Sequence, residues 1–125
     1  MVDVAITITI AVTEQQIENT LCSALEGGSN YWCEIRGYIH QEPTRQQPYA
    51  PSYLTTPLSP FGKLILFDKE EEKEMELTRE KLIEGVRVMA QKYPKHFGDM
   101  MSEEGDSTTG DVFLQCALFG EVIYG

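Results

Sequence analysis

Asn30, Tyr31, Trp32, Arg36 and Tyr38 gather an amide, three aromatic rings and a guanidinium into a single short stretch of the chain. Flat rings stack on nucleobases for roughly 1–3 kcal/mol per base. An amide both donates and accepts along a base edge, and a forked guanidinium takes two phosphate oxygens at once. These are the groups that hold a nucleobase and a phosphate. The same residues also fit a plainer arrangement, with Trp32 as a core anchor and Arg36 as a surface strand residue. Both readings stay open at this point.

Other chemistries find less support. The two histidines, His40 and His96, belong to no HxH, HxxxH or HExxH spacing, and each reads as a solvated side chain. No GxSxG, GxxxxGK[ST] or GxGxxG motif is present. The Gly27-Gly28 pair closes a helix, whereas a phosphate cradle opens one. Carboxylates sit in runs such as Glu70–Glu72 and Glu103-Glu104, which read as solvated faces. Asp99 and Asp106 lie in a loop without a basic or nucleophilic neighbour. No catalytic residue, no metal and no cofactor are therefore expected. Cys22, Cys33 and Cys116 are scattered, without CxxC spacing, and read as structural thiols. The net charge of −10 opposes direct DNA or RNA binding, which rests on Lys and Arg displacing counterions. It suits either solubility or contact with a basic protein surface.

The elements that position these residues follow from periodicity. Asp3 to Val12 alternates Val4, Ile6, Ile8 and Ile10 with Ala and Thr, which predicts a half-buried strand. Thr13 to Gln16 is a capping box opening a helix whose buried face is Ile17, Thr20, Leu21, Ala24 and Leu25. Gly27 is expected as its left-handed cap. Trp32 to His40 alternates again, with Cys33, Ile35, Gly37 and Ile39 on one face. Gln41 to Gly62 holds five of the six prolines and reads as an extended loop, an arm or lid over residues 41–62. Lys63–Asp68 and Met75–Leu77 read as a hairpin around the polar reversal Lys69–Glu74. Thr78 caps a second helix ending at Pro94. A loop over Gly98–Ser107 then leads to a buried helix capped by Thr109, with Asp111 in its first turn and Gly120 as its stop.

The expectation is a single α+β domain over residues 1–125, a small, mostly antiparallel sheet of three to four strands packed by about three helices. The N-terminus lacks the cationic start of a secretory signal, and the longest apolar run is too short to span a bilayer. A cytoplasmic protein without membrane contact is expected.

The segments ALEGGSNYW (24–32), LILFD (64–68), ELTREKLIEG (76–85) and TGDVFLQCALFGEVIYG (109–125) together resemble a widespread family of small phage and prophage proteins. That family shows a Gly-Gly-x-x-Tyr-Trp corner and an ending like Ala-Leu-Phe-Gly-Glu-Ile-Val-Tyr-Gly. The chain also resembles the anti-CBASS and anti-Thoeris sponges, which bind a host cyclic-nucleotide or cyclic-ADP-ribose-type signal without cleaving it. This resemblance implies a small nucleotide ligand in the host cytoplasm, with Tyr31 or Trp32 stacking on a base, Arg36 near phosphate and Asn30 reading a base edge. Arg45, Tyr49 and Tyr53 of the proline-rich loop would close over it. A homo-oligomer is expected, because each acidic subunit offers few cations to a multiply charged ligand. The alternatives are an acidic inhibitor of a host defence protein such as a CRISPR nuclease, presenting Glu70–Glu76 and Glu103–Asp106, and a phage housekeeping factor.

Overall fold

The computed structural model describes residues 3–40, 56–60 and 62–125. Arg45, Tyr49, Tyr53 and most of the proline-rich loop lie outside these residues. In chain order the elements are α1 (Glu14–Ser23) with a π-helical extension (Ala24–Gly28), β1 (Cys33–His40), a 3-10 turn (Thr56–Leu58), β2 (Gly62–Asp68), β3 (Lys73–Leu77), α2 (Arg79–Lys92), α3 (Pro94–Met101) and α4 (Ser107–Phe119). The fold is α+β, with four helices and a three-stranded antiparallel sheet of order β1-β2-β3.

The capping box forms as the sequence requires. Thr13 N–H donates to Gln16 Oε1 at 2.9 Å, and Gln16 N–H donates to Thr13 Oγ1 at 3.1 Å. Gly120 ends α4 in the left-handed region at φ 75°. Gly27 is no left-handed cap: α1 instead runs on into the π turn, whose Ser29 N–H reaches back to Ala24 C=O at 2.9 Å. Two boundaries also move. Pro94 starts α3, an extra helix where a loop was expected, because proline fits the first helical turn. Asp106 is the cap of α4, its carboxylate accepting from Thr109 N–H at 3.0 Å, so α4 begins before Thr109.

The largest departure is at the N-terminus. Among the described residues the alternating segment 3–12 pairs with no strand, and its apolar row is exposed. Alternation marks a segment suited to a sheet, and pairing still needs a neighbour with free backbone groups.

β2 is central, with Leu64, Leu66 and Asp68 buried under the helices and Lys63, Ile65 and Phe67 on the outer face. Along β1 the register steps from Ile35↔Leu66 to Gly37↔Ile65, leaving Arg36 as the extra residue of a bulge. A bulge reverses the alternation beyond it. Tyr38 therefore lies opposite buried Leu64, and Ile39 opposite Lys63 on the outer face, the reverse of the sequence expectation.

Helix α4 runs through the core, buried at nine consecutive positions from Thr109 to Ala117. Two glycines let its neighbours approach. A Cβ on Gly110 would meet Ala24 N at 2.6 Å, and one on Gly85 would meet Ala117 Cα at 2.8 Å. Gly110→Ala is expected to lower stability by roughly 1–3 kcal/mol through overpacking. Gly98→Ala, in α3 with open space around it, should raise stability by roughly 0.5–1 kcal/mol. Urea denaturation of both variants checks the contrast.

Candidate functional site

The corner between α1 and β1 is shaped by backbone contacts before any side chain matters. A Cβ on Gly28 would lie 2.0 Å from Ser107 C=O, so only glycine lets the π turn rest on the start of α4. Ser29 C=O then accepts from Trp32 N–H at 3.1 Å and Cys33 N–H at 2.9 Å, a tight turn that throws three side-chain donors toward one point.

That point is Asp111. Its Oδ1 accepts from Ser29 Oγ at 2.8 Å and Trp32 Nε1 at 2.8 Å. Its Oδ2 accepts from Tyr31 OH at 2.6 Å and Gln115 Nε2 at 3.1 Å. All four donors are neutral, and two per oxygen fill the carboxylate's lone-pair capacity. Gln115, one turn further along α4, is fully buried and clamps the C-terminal tail. Its Oε1 accepts from Ile123 N–H and Tyr124 N–H, both at 2.8 Å, and its Nε2 donates to Tyr124 C=O at 3.2 Å. Tyr124 OH continues to Asp68 Oδ2 at 2.8 Å, while Asp68 Oδ1 accepts from Glu70 and Glu71 N–H at 2.9 and 3.1 Å. Trp32 fills the space between, its ring centroid 5.1 Å from Tyr124 and 5.4 Å from Phe119. The corner and the tail, at opposite ends of the sequence, form one site.

The residues singled out from sequence distribute unevenly over it. Trp32 is 0% exposed, so it is a core anchor and offers no outward face for a base. Tyr31 is 49% exposed, its hydroxyl pinned to Asp111 and its ring at a cleft of about 400 Å³ shared with Gly28, Ser107, Thr108, Tyr124 and Gly125. Arg36 lies on the outer face of the sheet, 2.6 Å from Glu34 and with its guanidinium 4.1 Å above the Phe67 ring. The sheet thus separates Arg36 from Asp111 and Tyr31, against the expectation of one shared site. Tyr38 is exposed further along β1, beyond the bulge. Asn30 is exposed beside Tyr31, and its carbonyl accepts from the Lys69 ammonium. Asn30 and Lys69 line a different cleft, of about 250 Å³, with Cys33, Glu34 and Ile35. Lys69, rather than Arg36, brings a cation to the corner.

Burial pushes the Tyr31 phenol up to about 12, helped by its bond to Asp111, and does the same for Tyr124, helped by Asp68. Burial also raises the Cys33 thiol to about 12 and the Cys116 thiol to about 11, and both stay protonated. His96 is half-buried with its Nδ1 2.9 Å from Thr109 Oγ1, so it joins α3 to α4 and is not simply solvated. Among the described residues no group of three or more His, Cys, Asp or Glu side chains is arranged to hold a metal ion, and no helix is long and apolar enough to cross a membrane.

Asp111→Ala strands the buried donors of Ser29, Trp32 and Gln115 and should cost roughly 3–5 kcal/mol in urea denaturation. A phenol with a raised folded-state pKa keeps its proton in the native state after the unfolded chain has lost it. Stability should therefore hold below pH 10 and fall as pH rises from about 10 to about 12. Urea midpoints across that window, flattened in Tyr31→Phe and Tyr124→Phe, check this. No family model, no curated protein and no solved structure matches this chain.

Proposed function

We propose that this chain is a binding protein that holds a nucleotide-type signal at the corner and sequesters it without cleaving it. The observation that carries this reading is the Tyr31 ring, half-exposed at the cleft of about 400 Å³ and fixed in place by the bond from its hydroxyl to Asp111. A ring held rigid before the ligand arrives loses little freedom on binding. The cleft volume falls within the range of about 300–1,000 Å³ common for small-molecule sites. Tyr31 stacks on the base at that cleft, and Asn30 and Lys69, which line the second cleft of about 250 Å³, take the base edge and the phosphate of a ligand that spans from one cleft to the other. Sequestration is favoured over cleavage because Asp111 is saturated with donors and the buried thiols stay protonated, so neither serves as base or nucleophile. With the resemblance to phage sponges, this gives an anti-defence protein acting in the host cytoplasm on a cyclic oligonucleotide or cyclic-ADP-ribose-type signal.

A second reading rests on the β2–β3 turn, where Glu70, Glu71 and Glu72 are all exposed, followed by exposed Glu74 and Glu76. This acidic edge suits a basic protein surface such as that of a host nuclease.

Thermal denaturation with a panel of cyclic di- and trinucleotides and cyclic ADP-ribose tests the first reading. One class should raise the melting temperature, since a ligand at 100 times its Kd adds about 2.7 kcal/mol. Tyr31→Ala should weaken that binding at least about tenfold, as loss of one stacked base requires. Lys69→Ala should weaken it and reduce its salt dependence. The ligand should be recovered intact after heating. No shift with any member of the panel contradicts the proposal, and co-purification with a basic nuclease then supports the acidic edge.

A further inference from the structure

Val4, Ile6, Ile8 and Ile10 are 81, 77, 72 and 49% exposed, a row of four large apolar side chains in water. They alternate with Ala and Thr, the pattern of a strand with one buried face, yet among the described residues the segment has no strand partner. A contiguous apolar surface of this kind marks an interaction site. The sheet offers it two edges. β3 is short and carries Lys73, Glu74 and Glu76 among its five residues, the charged composition of a protected edge. β1 is longer, and it exposes Ile35, Tyr38 and Ile39. Among the described residues β1 has a partner on one side only.

We infer that residues 3–12 are an exchanged strand, the arm of one chain adding, in a second copy of the same chain, to the edge of β1 that no described strand covers. This inference is independent of the ligand reading. Three observations select a second copy. Charge is the first: each chain carries −10, so two copies approach only where carboxylates are absent or neutralised. Within the arm only Asp3, at its tip, is charged; Val4 to Val12 holds no charged residue, and Glu34 on β1 is paired with Arg36 at 2.6 Å. Length is the second. At about 3.3 Å per residue the arm reaches roughly 33 Å and β1 roughly 26 Å, so one arm covers the edge on both sides of the Arg36 bulge. Area is the third. The row of four side chains exposes on the order of 500 Å² per arm, and each arm covers a similar area of its partner. A reciprocal exchange then buries on the order of 2,000 Å² in total, at the upper end of the range for stable interfaces. A reciprocal exchange is also closed by a two-fold axis, leaving no further free arm.

Sedimentation of the full chain across micromolar concentrations tests this. The expected species is a dimer. Ile6→Asp with Ile8→Asp should convert it to a monomer with an unchanged near-UV spectrum, because both side chains lie outside the core, and with a far-UV spectrum that loses only the strand signal of the arm. Ile39→Lys, on β1, should weaken dimerisation at least about tenfold. Hydrogen exchange provides a measurement independent of any variant, with amides 4–11 slowed as concentration rises. A parent chain that stays monomeric overturns the inference, as does a dimer indifferent to the arm substitutions. A dimer lost on changing the arm but untouched by Ile39→Lys overturns the assignment of β1 as the receiving edge.

Discussion

A buried carboxylate bonded to four neutral donors, and to no cation among the described residues, sits at the centre of this molecule. Removing Asp111 from water is unfavourable unless its oxygens are fully bonded, and Ser29, Tyr31, Trp32 and Gln115 meet that requirement with four neutral donors. The dependence is mutual. The indole N–H and the Ser29 hydroxyl are buried as well, and each would be unsatisfied without the same acceptor. One residue of α4 therefore dictates the path of the chain between α1 and β1. Through Gln115 it also dictates the path of the tail, and through Tyr124 and Asp68 the network reaches the β2–β3 turn.

This arrangement divides labour within the corner. The Trp32 indole goes inward, packed by Phe119 and Tyr124, and its neighbour Tyr31 is left with a hydroxyl held from within and a ring open to solvent. The outer surface of the corner is thus an aromatic ring on a rigid support, next in the chain to the exposed Asn30, whose carbonyl accepts from the Lys69 ammonium. The polar atoms of Asp111 and Gln115 are committed to the fold.

Much of the fold was legible in the sequence because local rules were obeyed: the Thr13–Gln16 box, the Ile17/Leu21/Ala24 face, the Gly120 stop. The misses share a cause, which is that they depend on contacts between distant segments. Nothing local to Cys33–His40 announces a bulge at Arg36, and that bulge decides which way Tyr38 and Ile39 face. Segment 3–12 has the right alternation and, among the described residues, no strand beside it. The π turn depends on Gly28 meeting Ser107, 79 positions away. The Asp111 network did leave a trace. Asp111 and Gln115 stand four residues apart in a helix that is apolar almost all round beyond its first turn, so both had to be buried and both needed partners. Ser29-Asn30-Tyr31-Trp32 offers a side-chain donor at each of its four residues, and three of them, Ser29, Tyr31 and Trp32, meet that acceptor. Reading Asp111 only as a favourable charge near a helix start hid the match. Lys69 was overlooked because its ammonium reaches the corner from the opposite end of the β2 pairing, where Asp68 lies across from Cys33.

The chain holds a single tryptophan, so its proton spectrum contains one indole N–H signal, that of Trp32. Its exchange with solvent reports directly on the bond to Asp111. The account predicts that this signal persists for hours in deuterated buffer and vanishes at once in a folded Asp111→Ala chain. An indole proton that exchanges immediately in the unaltered protein, or as slowly without Asp111 as with it, would contradict the account.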